Sequence, residues 1–77
     1  MNPGQWMISL GNEVQLHRKR AGLTQIQLAS LAGVGKTVVY DLEKGKVTLQ
    51  VETMLKILHV LNIDLEWTSP TGAVPHA

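Results

Sequence analysis

The chain contains no cysteine, which excludes disulfide staples, thiol nucleophiles and zinc–thiolate sites together. It has no apolar run near the roughly 18 residues that a membrane-spanning helix requires. Its N-terminus lacks the basic-then-apolar pattern of a secretory signal, so no membrane partner and a cytoplasmic location are expected. An excess of one charge is equally lacking: 7 basic residues against 6 acidic leave a formal +1, which as a whole-chain figure points to no special partner. What the chain does have is apolar residues, 44% of 77, enough for one small folded domain and too few for two cores. A single core of this size leaves a net stability on the order of a few kcal/mol. With neither disulfide nor evident metal site, self-association is the remaining source of stability.

Glycines punctuate the sequence. Gly22, Gly33 and Gly45 each follow a run of helical spacing, where a left-handed residue would end a helix. The first run is Leu10 to Ala21, with Ser9 as N-cap and Leu10, Val14 and Ala21 on one face; residues 1–8 read as an N-terminal arm. Thr24 and Gln27 have the spacing of a capping box, and Leu23 and Leu28 that of a hydrophobic staple. They predict a helix from Gln25 to Ala32 with Leu28 and Ala29 inward. Val34 and Gly35 separate it from a third helix, Lys36 to Lys44, which turns Val39 and Leu42 inward. A fourth, from about Val51 to Leu61, presents Val51, Met54, Leu55, Leu58 and Leu61, so residues 9–62 form one helical domain.

The period then changes. Ile63, Leu65 and Trp67 alternate with Asp64, Glu66 and Thr68, which reads as a strand over residues 63–68. A lone strand leaves its backbone groups unpaired. Either Gln5–Ile8 or a second copy of the chain could pair with it. The second copy is favoured, because antiparallel pairing of identical strands about a two-fold axis is self-complementary. Residues 69–77 contain Pro70, Gly72 and Pro75 without periodicity, and are expected to be a disordered tail.

Two short helices joined by a turn of about three residues containing Gly33 form the helix-turn-helix arrangement, whose second helix can enter a major groove. Many helical proteins contain such a pair, so geometry alone leaves function open. Charge position narrows it. Residues 17–46 hold Arg18, Lys19, Arg20, Lys36, Lys44 and Lys46 against Asp41 and Glu43, a local +4, while the segments before and after carry −1 and −2. Such a segment suits phosphate neutralisation. Catalysis finds no support: His17, His59 and His76 lie far apart, and no paired carboxylates or nucleophile elbow occur. Gly33-Val34-Gly35-Lys36 lacks the spacing and the preceding strand of a phosphate-binding loop. Neither an enzyme nor a cofactor is expected.

In order along the chain stand Gly22-Leu23-Thr24-Gln25, Leu28-Ala29, Ala32-Gly33-Val34 and Leu42-Glu43-Lys44-Gly45-Lys46. This series, covering about Leu10 to Leu61, resembles the Cro/CI-like (XRE-type) helix-turn-helix family. The resemblance implies an all-α fold, a bundle of four to five short helices, here with one C-terminal β-strand pairing across a dimer. A narrower resemblance, to HipB-type antitoxins, rests on Gly33-Val34-Gly35, Asp41 to Lys46, Thr48 and Lys56-Ile57-Leu58 running into a terminal strand.

The DNA-binding residues implied are Thr24, Gln25, Gly35, Lys36, Thr37, Tyr40, Asp41, Lys44 and Lys46. Gln25 would contact a phosphate and brace the reading helix. Lys36, Thr37 and Asp41 occupy base-reading positions: lysine suits guanine O6 and N7, threonine several bases or a thymine methyl, and aspartate cytosine N4. Tyr40 reaches the DNA backbone or packs on the domain. Lys44 and Lys46 suit phosphate contacts that set register. Gly35 departs from the hydroxyl residue often found there, and offers a phosphate only its N–H. Arg18 and Glu43 would form a structural ion pair, and Ile63, Leu65 and Trp67 the dimer interface.

The implied function is a sequence-specific repressor bound as a homodimer to a pseudo-palindromic, nucleoid-located operator. As the antitoxin of a HipA-like kinase toxin, it would repress its own operon. The alternatives are a phage-type repressor or restriction–modification controller without a toxin, and an interaction module whose helix-turn-helix only presents a toxin-binding face.

Overall fold

Asn2 and Pro3 open the first helix. The Asn2 side chain accepts from the Gln5 N–H at 2.8 Å, and Pro3 at the first helical position lacks only an N–H that would be unsatisfied there. In this computed structural model, which describes residues 2–66, α1 therefore runs over Pro3–Arg20. It starts well before the expected Leu10, with Asn2 rather than Ser9 as its cap. Residues 3–8, read as an arm, are its first turns, and Gln5–Ile8 is helical and cannot serve as a strand partner. α2 (Gln25–Ala32) begins and ends where its capping box and Gly33 indicate. α3 spans Lys36–Glu43 with Lys44 as its cap, and α4 spans Val51–Val60 with Leu61 as its cap.

All four helices end alike. Ala21, Ala32, Lys44 and Leu61 are followed by a residue of positive φ, namely Gly22, Gly33, Gly45 and Asn62. In each case the next N–H reaches back to a carbonyl five residues earlier, as Val34 does to Ala29 at 3.0 Å and Ile63 to Leu58 at 2.9 Å. These are Schellman closures, and asparagine is the non-glycine residue that best tolerates the left-handed position.

One core joins the helices: Met7, Leu10 and Val14 from α1, Leu28 and Ala29 from α2, Val39 and Leu42 from α3, and Met54, Ile57, Leu58 and Leu61 at α4. Three expected inward residues are not in it. Ala21 is exposed at the α1 cap, and Val51 and Leu55 are 64% and 47% exposed. Their place is taken by Ile57, fully buried on the stripe formed with Met54, Leu58 and Leu61. α4 thus carries an inward stripe and a separate outward one.

α1 crosses the end of α3 at very short range. A Cβ added at Gly11 would lie 2.5 Å from the Leu42 carbonyl oxygen and 2.8 Å from that of Glu43. The absent side chain is what permits the crossing.

The helical part of the fold-class expectation is met, while its C-terminal strand is not shown. Among the described residues there are four helices and no strand: residues 63–66 follow the α4 closure without strand pairing in the single chain. Ile63 packs partly on the core, while Leu65 is exposed. Trp67 and the tail at 69–77 lie outside the described residues. No helix among the described residues is long and apolar enough to cross a membrane.

Candidate nucleic-acid interface

Thr24 starts α2 by a reciprocal exchange. Its hydroxyl accepts from the Gln27 N–H at 3.0 Å, and its own N–H donates to the Gln27 side-chain oxygen at 2.8 Å. Nine residues later Gly33 turns the chain at φ 70°, with nothing within 4 Å of where a Cβ would stand. Glycine is needed there for its backbone conformation and not for space. Val34 then packs against the core, and Gly35 caps α3 in an extended conformation without a side-chain hydrogen bond.

The position of α3 follows from its apolar face. Val39 and Leu42 are fully buried and Val38 packs beside them, so the opposite face must turn outward. That face carries Lys36, Thr37 and Tyr40, all exposed, the partly exposed Asp41, and Lys44 just past the helix. Helical spacing places them along one side of the cylinder.

A carboxylate holds this helix to the rest of the molecule. Glu43 accepts from Arg18 Nε at 2.6 Å on one oxygen and from Nη2 at 3.0 Å on the other. Arg18 Nη1 donates to the Leu23 carbonyl at 2.9 Å, and Gln25 Nε2 reaches the Glu43 carboxylate at 3.3 Å. The last turn of α1, the first turn of α2 and the last residue of α3 are thus joined at one point. The side chains of Arg18 and Glu43 are only 10% and 4% exposed. Bonding to Glu43 pushes the guanidinium pKa above its already high value, against the opposing effect of burial.

Spacing alone had not pointed to three further contacts. The Gln25 bond to Glu43 links residues 18 apart in sequence. Lys44 Nζ sits 4.5 Å from the centre of the Tyr40 ring. The Tyr40 oxygen and, to a lesser degree, the Asp41 charge hold its ammonium above the ordinary lysine range. Lys46 Nζ lies 3.6 Å from Asp41 Oδ2. Tyr40, for which packing on the domain was one expectation, is 44% exposed and lies against Lys44.

The helix-turn-helix family model matches residues 14–68, most of the chain. The chain belongs to the helix-turn-helix family. It is a transcriptional regulator that binds DNA, and not an enzyme. An HTH-type transcriptional regulator of Sinorhizobium fredii is 38% identical over 61 residues, covering 79% of this chain and 80% of its own length. Two solved structures share the fold. A chain of the HipA–HipB–O2–O3 complex has a TM-score of 0.72 at 26% identity, covering 91% of this regulator and 93% of that chain. The restriction–modification controller protein C.AhdI of Aeromonas hydrophila has a TM-score of 0.67 at 28% identity, covering 75% and 88%.

Proposed function

We propose that this regulator is a sequence-specific repressor that acts as a homodimer on a pseudo-palindromic operator. Its half-sites would lie about one helical turn, roughly 34 Å, apart. The observation that carries the reading is the outward face of α3: Lys36, Thr37 and Tyr40 stand clear of the core, while Val39 and Leu42 anchor the helix behind them. In this reading Lys36 donates to guanine, and Thr37 hydrogen-bonds a neighbouring base or packs its methyl against that of thymine. Gln25 and the Gly35 N–H meet phosphates. Thr24 contributes through its place at the α2 N-terminus, its side chain being taken up by the cap.

Dimerisation draws support from apolar surface the single chain leaves uncovered. Val51 and Leu55 face out from α4, Leu65 lies beside them, and Trp6 of α1 borders a shallow recess that also touches Leu65. Adjoining exposed apolar groups of this kind suit an interface. The alternation of Ile63, Leu65 and Trp67 supports strand pairing across it.

For the biological setting, the match to the HipA–HipB–O2–O3 complex over nearly the full chain supports an antitoxin role. The regulator would repress its own operon at the nucleoid and bind a HipA-like kinase toxin. A controller without a toxin is the second reading, favoured by the likeness to C.AhdI.

Lys36→Ala with Thr37→Ala should abolish shifting of the regulator's own promoter DNA at controlled salt, while circular dichroism and sedimentation stay unchanged; unaltered affinity refutes the reading. Truncation after Asn62 should give monomers by ultracentrifugation, and a persistent dimer removes the strand interface. Co-purification of a kinase encoded beside it separates antitoxin from controller.

A further inference from the structure

The closure at the end of α3 differs in chemistry from those of α2 and α4. In a Schellman motif the residue after the left-handed one returns to the helix, so its side chain meets that of the residue whose carbonyl it binds. For α2 these are Val34 and Ala29, and for α4 Ile63 and Leu58, both apolar pairs. For α3 they are Lys46 and Asp41: the Lys46 N–H donates to the Asp41 carbonyl at 3.1 Å, and Lys46 Nζ lies 3.6 Å from Asp41 Oδ2. The Lys46 side chain is half exposed and that of Asp41 24% exposed. An ion pair this open to water adds little to stability, and an apolar pair would close the helix as well. The pair stands beside the helix face turned toward DNA.

We infer that Asp41 is a specificity-determining residue that lowers affinity for non-cognate DNA by keeping the Lys46 ammonium from neutralising a phosphate. The inference rests on the reading of α3 as the DNA-facing helix. A free Lys46 would neutralise one phosphate on any duplex, raising affinity for every sequence alike. Paired with Asp41 it brings no net charge, and the carboxylate itself repels the backbone. Only a site offering Asp41 an amino donor, such as cytosine N4, releases the lysine for a phosphate. Cognate DNA then gains a contact that other DNA does not, which is discrimination by penalising the wrong partner.

The test uses the full chain as wild type, Asp41→Asn, Lys46→Ala and the double variant. Each is titrated from 50 to 200 mM salt against a mixed-sequence duplex lacking the promoter, with promoter DNA in parallel. On the mixed duplex, Asp41→Asn should steepen the log–log salt slope by about 0.9, one added phosphate, so that its affinity falls about 3.5-fold more than that of wild type across the range. The double variant should keep the salt slope of Lys46→Ala alone, its affinity rising only by the relief of the one unpaired carboxylate. An unchanged slope in Asp41→Asn, or an equal gain in the Lys46→Ala background, overturns the inference and leaves the DNA reading intact. Failure of wild type to bind either duplex overturns both.

Discussion

Replacing Gly11 by alanine sets two opposite effects against each other. Gly11 lies in the middle of α1, where alanine is intrinsically better by about 0.5–1 kcal/mol. The added methyl would, however, stand 2.5 Å from the Leu42 carbonyl oxygen and 2.8 Å from that of Glu43, where ordinary contact begins at 3.4 Å. Both atoms are backbone at the end of α3, held by the Arg18–Glu43 bonds and by the Gly45 closure, so neither can swing aside. Overpacking of this kind costs about 1–3 kcal/mol, and the contact with rigid backbone places Gly11→Ala in the upper part of that range. The expected net loss is about 1–2 kcal/mol, or a fall in Tm of roughly 4–15 °C for a domain of this size. Thermal and urea unfolding followed by circular dichroism at fixed protein concentration measures it. Gly4→Ala is the control. Its methyl meets only the Asn2 side-chain oxygen at 3.4 Å, so the intrinsic gain, up to about 0.5 kcal/mol, should survive. A Gly11→Ala protein as stable as its parent, or an equal loss from Gly4→Ala, refutes the close-crossing argument.

Removing one partner of the Arg18–Glu43 pair, as in Glu43→Ala, should cost about 3–5 kcal/mol and leave the chain largely unfolded at 25 °C. Replacing both by apolar residues (Arg18→Met with Glu43→Leu) should recover most of that loss in chemical denaturation, and failure to recover would argue against an uncompensated buried charge as its cause. Thr24→Ala breaks the capping box and should cost about 1 kcal/mol, with faster amide exchange at the first turn of α2; unchanged exchange would deny the cap its role. Asn62→Ala should lose about 1 kcal/mol from left-handed strain while Asn62→Gly does not, so equal stability of the two variants in urea would refute the strain account.

How far the sequence speaks for itself depends on the span of each interaction. The start of α2 was readable because Thr24 and Gln27 are three residues apart and satisfy each other, and its end because Gly33 occupies a backbone conformation few residues tolerate. The α1 start was equally local, in Asn2 and Pro3, yet Gly4, Ser9 and Gly11 weaken the helical pattern between cap and core. Packing overrides that weakness: Met7 and Leu10 are buried, and Gly11 lies against α3. Asn62 is a closure of the same kind as the glycines, missed because asparagine marks the left-handed position less strongly. For the site, the outward set on α3 follows from the spacing of Val39 and Leu42, whereas the Arg18–Glu43 pair, 25 residues apart, came from family resemblance.

The sequence by itself thus determined where three helices lie, which face of α3 is inward, and that the +1 total conceals a basic segment. Only the tertiary structure decided what that charge is worth at each position. It engages Arg18 with Glu43 and Lys46 with Asp41, sets Lys44 over Tyr40, and leaves Lys36 exposed. It likewise decided which of the two apolar stripes on α4 faces the core, burying Ile57 and leaving Val51 and Leu55 outside. Periodicity fixes which residues share a face, but only the approach of another helix decides which face is covered.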